Sequence, residues 1–493
     1  GVGPSQGPLP RHSPTTKPQV LVRASQPIRS IAASAPRGPR QLPGRDRIIR
    51  RLLDGLRAWN PLPEGATAIG YGLLINGLAT YGFLIMARRT LGDEAYGGLA
   101  VLWGLVYILG PGLFQPLEQE IARVTAGRAS RGLGSAPVLR AASRIGAMEL
   151  FVVVIAVLVA WPLGLDGLLD HRVDLLISLI LALVAFAAAE LVRGVLSGRH
   201  RFRDYGLYFA VEGGTRLVLA TVLAVLSIEL VSAFSLTLAA AFAFAAIAGL
   251  GRDRPFVKPG PEASTRDLTR ALGFLLAASL CEAFILNVGP VALEIVGGED
   301  LGEDAPGVFL NGLIIARIPL FFFQAVKASL LPNLASLAGR DDLHGFRDTQ
   351  LRLLGAVLAI AGVATVAGAL VGPSIVEAVF GDELRRVDMA LLAASGGGLM
   401  VLLSLALGLV ALGHARLAVV GWFVGVAVFP AAVQFADDPF LRVESALVAS
   451  VIAGSAATAV LLTLEYRAHI VAGRLTSTSS RPTGGRRVTD DQR

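Results

Sequence analysis

Charge is what this chain has least of. Only 16% of its 493 residues are Asp, Glu, Lys or Arg, against about a quarter in an average soluble domain. Mean hydropathy is +0.63, which excludes an ordinary soluble fold of this length. Cysteine is nearly missing too. Cys281 stands alone inside an apolar run, so no intrachain disulfide can form and no redox compartment is implied. Histidine and cysteine are too sparse in the sequence to spell a zinc, haem or iron–sulfur site, and no cofactor is expected. Short segments of alternating hydrophobicity, the mark of a membrane barrel, are not found. The loops between apolar runs leave no room for a soluble catalytic domain.

What is present in quantity is long apolar runs. Stretches of about 20 residues, each enough to cross a bilayer, fall at 67–87, 98–117, 141–164, 174–194, 206–227, 231–250, 268–296, 307–331, 351–371, 389–412, 417–435 and 444–466. They predict an all-α polytopic membrane protein of about 12 transmembrane helices. Leu91-Gly92-Asp93-Glu94-Ala95-Tyr96-Gly97 separates the first two spans, and Leu301-Gly302-Glu303-Asp304-Ala305-Pro306-Gly307 separates the seventh and eighth. Leu, Gly, Ala and the final Gly recur in register, and the two acidic positions exchange Asp for Glu. A turn repeated six spans apart predicts two related halves, and the even offset makes them parallel rather than inverted. The expected six-helix lobes are 65–250 and 268–470, joined by a basic linker at 251–267.

The formal charge of +7 would raise the question of nucleic acid in a soluble protein. Here the basic residues gather in the tails and in alternate loops, so no nucleic-acid partner is expected. Arg123, Arg128, Arg131, Arg140 and Arg144 follow span two; Arg199, Arg201 and Arg203 follow span four; Arg252, Arg254, Lys258, Arg266 and Arg270 lie in the central loop. The opposite loops carry Asp166, Asp170, Glu299, Asp300, Asp437 and Asp438, with Arg88, Arg89, Arg385 and Arg386 as exceptions. The positive-inside rule then puts both termini and the central loop in the cytoplasm. Residues 1–44, rich in Pro, Ser and Arg with no acidic residue before Asp46, predict a disordered basic cytoplasmic tail, although an organelle transit peptide has the same composition. In 45–60, Ile48, Ile49, Leu52, Leu53, Leu56 and Trp59 recur at helical spacing among five arginines. That pattern fits an amphipathic interfacial helix drawn to anionic lipid, or a plain helical extension. Residues 471–493 predict a second disordered basic tail.

Taken together, several stretches resemble the polysaccharide-export, lipid-linked oligosaccharide flippase branch of the multidrug/oligosaccharidyl-lipid/polysaccharide exporter superfamily. They are Arg89 to Gly97, Arg193-Gly194-Val195-Leu196-Ser197-Gly198 with Arg201-Phe202-Arg203-Asp204-Tyr205, Glu212-Gly213-Gly214-Thr215-Arg216-Leu217, Ala316-Arg317-Ile318-Pro319-Leu320 and Leu331-Pro332-Asn333-Leu334. The resemblance covers about residues 65–470, and it rests on the order and spacing of the motifs. It implies a V-shaped pair of six-helix lobes around a central cavity that opens to alternate sides. The implied cargo is a lipid-linked sugar, and the implied partners are a polysaccharide polymerase or glycosyltransferases. The implied location is the bacterial cytoplasmic membrane, and an Ala-, Gly-, Arg- and Val-rich composition fits a GC-rich bacterial source.

Charged groups inside a bilayer are costly, by at least about 2.5 kcal/mol each, and usually face a cavity or a partner. Arg317 lies about ten residues into span eight, too deep to snorkel, with Gln324 seven residues on and so on nearly the same face. Its guanidinium fork suits a phosphate. Arg317, Gln324, Asn311, Asn76 and Arg216 are therefore candidate head-group contacts. Glu282 in span seven reads either as a proton- or Na⁺-coupling carboxylate or as the structural partner of Arg317. Glu212 with Arg216, four apart, and Glu190 with Arg193 read as charge pairs at the mouth of the cavity. Pro319 marks a place where span eight can break.

Four functions fit such a chain in different degrees: a flippase or exporter of lipid-linked glycan precursors, a cation-coupled multidrug antiporter, a glycan-polymerising or glycan-transferring enzyme, and a transport-inactive scaffold. Span one offers Asn76 and Tyr81 but no carboxylate, which disfavours an antiporter that protonates an acid there. The short outward loops disfavour the enzyme.

Overall fold

The computed structural model describes residues 66–250, 259–262, 268–269, 272–297, 301–340 and 342–479. The 1–44 tail, the 45–60 helix, most of the 251–267 linker and residues 480–493 lie outside them. Every regular element among the described residues is helical. That is what a bilayer demands, because no water is present there to satisfy backbone groups and the helix satisfies them internally.

The first lobe consists of α1 (Thr67–Gly92), α2 (Ala95–Ala129), α3 (Ala136–Ala160), α4 (Val173–Gly198), α5 (Phe202–Val225) and α6 (Val231–Leu250). The second has α7 (Leu272–Gly297), then α8 (Ala305–Ala316) and α9 (Ile318–Gly339), which are two pieces of the eighth span. It ends with α10 (Leu343–Phe380), α11 (Arg386–Ala411), α12 (Ala415–Ala432) and α13 (Pro439–Ser479). Among the described residues, eleven helices are long and apolar enough to cross a membrane, against the twelve spans expected. The eighth span is divided at Arg317, two residues before the Pro319 that marked a possible break. The sequence also set the second tail at residue 471, whereas α13 stays helical to Ser479.

The parallel repeat is visible in how the lobes pack. In the most apolar stretch of each span, 61% of α4 and 72% of α11 is buried, against 17% of α3 and 6% of α10. The fourth helix of each half is thus mostly buried, as α2 is at 67%, and the third is the exposed flank. The turn between α1 and α2 depends on Gly92, whose φ of +75° is unfavourable for residues with a Cβ. The two repeated turns meet. A Cβ on Gly97 would stand 1.9 Å from the Glu303 carbonyl oxygen, and one on Gly307 would stand 2.5 Å from the Tyr96 ring.

From that meeting point α2 runs along α7. Gly104 lies against Val291 and Asn287, Gly112 lies against Leu280, and Ser279 Oγ donates to the Pro111 carbonyl at 2.9 Å. Along its length α2 also packs on α4: Gly98 lies near Leu175 and Gly110 near Phe186, and beyond Pro111 Gly194 packs on Glu118 and Ile121, and Gly198 on Ala122 and Thr125. The lobes therefore touch along α2 and α7, and the start of α7 (Leu272, Leu276) still packs into the same apolar core as the first lobe. The end that carries the repeated turns, expected from the loop charges to face outward, is here called the outer end.

Candidate functional site

Among the described residues, three buried polar clusters and the cation Arg317 stand out within this frame. At the outer end, Arg88 of α1 reaches Asp382, in the turn between α10 and α11, through Nε at 3.0 Å and Nη2 at 2.5 Å. The second carboxylate oxygen of Asp382 accepts from Asn311 Nδ2 at 2.7 Å, and Asn311 Oδ1 accepts from the Tyr96 hydroxyl at 2.6 Å. Arg88 also stacks over the Tyr96 ring. The set is buried, with Arg88 at 9% and Asp382 at 4% exposure, and it ties the two lobes together. Arg88 and Arg385 looked like exceptions to the charge map, and this explains them. Both are bound to carboxylates, Arg385 to Asp388 at 2.7 Å and to Asp438 at 3.0 Å. Asn311, expected to touch a head group, has both ends of its amide engaged in this latch instead.

Within the first lobe, Arg216 is 1% exposed. It donates to Glu212 at 2.8 Å and to Thr80 at 3.0 Å, and its guanidinium lies over the rings of Trp103 and Phe242. Asn76 Nδ2 donates to the same Glu212 oxygen at 3.4 Å. The expected Glu212–Arg216 pair exists, but it holds α1, α2, α5 and α6 together rather than facing a cavity mouth. The structure thus places Arg216 and Asn76 in one cluster around Glu212, with Arg216 Nε and Asn76 Oδ1 left without a hydrogen-bond partner among the described residues. Glu190 and Arg193 also pair, at 2.5 Å, with Glu118 as an unexpected third member at 2.9 Å from Arg193. Tyr205 donates to Glu118 at 2.8 Å, and Arg193 rests on the Phe209 ring. This cluster fastens α2, α4 and α5 at the end of the first lobe away from the latch.

Arg317 is different. It occupies the break between α8 and α9 with φ −92° and ψ 1°, and Pro319, which has no N–H, follows within the first turn of α9. The Ile314 carbonyl, which also accepts the Arg317 amide at 3.2 Å, accepts the Tyr81 hydroxyl of α1 at 3.1 Å, across the lobe boundary. Arg317 is half-buried and lines a narrow crevice with Ile285, Ser395, Gly396, Leu399, Leu447 and Val451. Among the described residues no group accepts a hydrogen bond from its guanidinium, and Glu282 is not its ion-pair partner. The titratable group close enough to act on it is Tyr81. Glu282 is half-buried on α7 and engaged elsewhere. Gln324 lies on α9, and its side chain is outside what the structure describes.

Sequence reasoning missed Asp382 and Glu444. The signal for Asp382 was indirect, a pair of arginines on the wrong side of the charge map. Glu444 is fully buried on α13 and neither carboxylate oxygen has a hydrogen-bond partner among the described residues. Its place in the first turns of a span gave it the look of an end residue.

No protein-family model matches this chain. It is 24% identical over 352 residues to an uncharacterised protein of Mycobacterium tuberculosis (strain ATCC 25618 / H37Rv), covering 67% of this chain and 76% of that one. An uncharacterised protein of Mycobacterium bovis matches to the same extent. Among solved structures it is similar to the inward-facing conformation of a multidrug resistance MATE family transporter of the MOP superfamily. The TM-score is 0.62 at 14% identity, with 84% of this chain and 99% of that one covered. The Vibrio cholerae MATE transporter VcmN in its bent form gives a TM-score of 0.56 at 14% identity, over 84% and 98% of the two chains. The fold is thus the two-lobed helical fold of MATE transporters, in a multi-pass membrane protein.

Proposed function

We propose that this protein is an alternating-access flippase or exporter of a lipid-linked oligosaccharide or polysaccharide precursor in the bacterial cytoplasmic membrane, with both termini in the cytoplasm. The observation that carries the reading is Arg317, a cation at a helix break, lining a crevice, with no acceptor for its donors among the described residues. An unpaired arginine at membrane depth costs about 2.5–3.5 kcal/mol on insertion scales, so its retention calls for an anionic partner that comes and goes. The phosphate of a lipid-linked sugar is such a partner, and the planar guanidinium matches it with two parallel hydrogen bonds. Cargo enters from the end away from the latch, and the outer latch is the barrier that release has to open.

The functional partners are then the enzymes that build and polymerise the glycan, with anionic lipids at the basic N-terminal segment. Coupling to H⁺ or Na⁺ falls to Glu282. A multidrug antiporter draws support from the multidrug transporter among the similar structures, but a cationic drug would be repelled by Arg317. In reconstituted vesicles, Arg317→Ala should insert normally yet lose translocation of a fluorescent lipid-linked sugar, with Arg317→Lys intermediate. Full transport by Arg317→Ala refutes the assignment. Depleting the protein in cells should accumulate one lipid-linked intermediate, whereas a drug antiporter would leave that pool unchanged and raise drug sensitivity.

A further inference from the structure

We propose that His414, Glu465 and His469 bind a divalent transition-metal ion of the zinc class, which clips the turn between α11 and α12 to the far end of α13. In sequence the three are too dispersed to suggest a site, since His414 stands about fifty residues before the others. The fold brings them together so that one ligand atom from each lies within 4.8 Å of the other two.

Backbone geometry accounts for the position of His414. Helix α11 ends in a Schellman motif. The Gly413 amide donates to the Val410 carbonyl at 3.0 Å, and the His414 amide donates to the Leu409 carbonyl at 2.9 Å. Gly413 has φ +85°, which a residue with a Cβ rarely adopts. His414 is therefore turned back toward α13 by the helix stop itself. Glu465 and His469 are four apart, hence on one face of α13. His469 Nδ1 lies 2.9 Å from the Glu465 carbonyl oxygen. With Nδ1–H donating there, Nε2 keeps the lone pair for a metal, the arrangement usual for histidine ligands. His414 Nε2 stands 3.3 Å from a Glu465 carboxylate oxygen. Ligand atoms about 2.1 Å from a tetrahedral zinc ion are about 3.4 Å apart, and rotation of the half-buried His469 ring closes the remaining gap.

The support is rigid. Leu412, Ala418 and Leu462 are buried together beneath the site, and the Tyr466 hydroxyl donates to the Leu343 carbonyl at 3.2 Å. Two imidazoles and one carboxylate favour zinc, cobalt or nickel over magnesium or calcium, and three protein ligands leave a fourth position for water. All three residues belong to the second lobe at the end away from the latch, so the site is independent of the transport reading.

The test uses the full-length protein, freed of any histidine tag, in detergent. Zn²⁺ titration should show one saturable site and a rise in Tm, and Co²⁺ should give the visible absorption of a tetrahedral nitrogen–oxygen site. His414→Ala and His469→Ala should each weaken Zn²⁺ binding at least about 100-fold, beyond what loss of an outer-sphere partner does, while His344→Gln leaves it unchanged. Glu465→Gln serves as the third ligand variant if either histidine change impairs folding. Absence of a saturable Zn²⁺ site in the unaltered protein, wild-type affinity in the His414→Ala/His469→Ala double variant, or displacement of Zn²⁺ by millimolar Mg²⁺ overturns the proposal.

Discussion

Replacing Asp382 with alanine should tip the protein toward its outward-open form. In the closed state Asp382 takes three hydrogen bonds from two buried side chains, Arg88 and Asn311. Its removal takes a carboxylate away from a guanidinium at 9% exposure and leaves the Asn311 amide donor without its acceptor. Breaking a buried ion pair from one side costs about 3–5 kcal/mol. In the open state both groups meet water, so that cost falls on the closed state alone. At about 1.4 kcal/mol per tenfold change, the open-to-closed ratio rises roughly a hundred- to several-thousand-fold, enough to reverse a moderate preference. Spin labels at Leu230 and Phe435, exposed at the outer ends of different lobes, report the separation by pulsed dipolar spectroscopy after Cys281 is replaced. The distance distribution should move to longer values in Asp382→Ala. It should return in Arg88→Met/Asp382→Leu, where an apolar pair replaces the ionic one. An unchanged distribution in Asp382→Ala would show that the latch carries little of the closing energy, and the reasoning would fail.

Gly97→Val should produce the same opening by a different route, since a Cβ there meets the Glu303 backbone at 1.9 Å. Transport should fall, while the first lobe alone stays folded by limited proteolysis. Arg216→Ala should lower Tm and yield, at a cost of about 3–5 kcal/mol for the stranded Glu212; a normal Tm with weakened cargo binding would return Arg216 to the head-group set. Glu282→Gln should abolish dependence on a proton or Na⁺ gradient, and surviving dependence assigns Glu282 a structural role. Burial pushes the Asp438 carboxyl up, but the Leu441 amide and the Arg385 guanidinium outweigh it and hold the group below its ordinary value. The resulting stability is present above the unfolded pKa and lost as pH falls through the folded one. Asp438→Asn should therefore flatten the acid limb of a Tm-against-pH curve measured in detergent.

The membrane class, the all-helical fold and the two lobes were legible because they rest on local signals: apolar length, loop charge and a recurring turn. The break at Arg317 was foreseeable from Pro319, which removes a backbone donor whatever surrounds it. The partners of the polar residues were not legible. Asn311 and Arg216 looked like cavity groups because depth in a span is visible in sequence while the direction a side chain faces is not. Asp382 hid in a loop, 294 residues from the arginine it holds. Glu118 lay at the end of a span and read as an end residue, yet it shares Arg193 with Glu190. Contacts that close over such separations depend on how helices cross, which no local pattern records.

The break in the eighth span also sets where the molecule can bend. Helix α8 belongs by sequence to the second half, but Tyr81 and Tyr96 fasten it to the first. The mechanical boundary therefore need not coincide with the linker that divides the chain, because a second joint lies at Arg317, where α8 meets α9. A cargo anion gripping that guanidinium would load the joint directly. Binding and opening would then be coupled in both directions through one residue, and whatever energy the cargo contributes to unlocking the latch, the locked latch must withhold from the cargo.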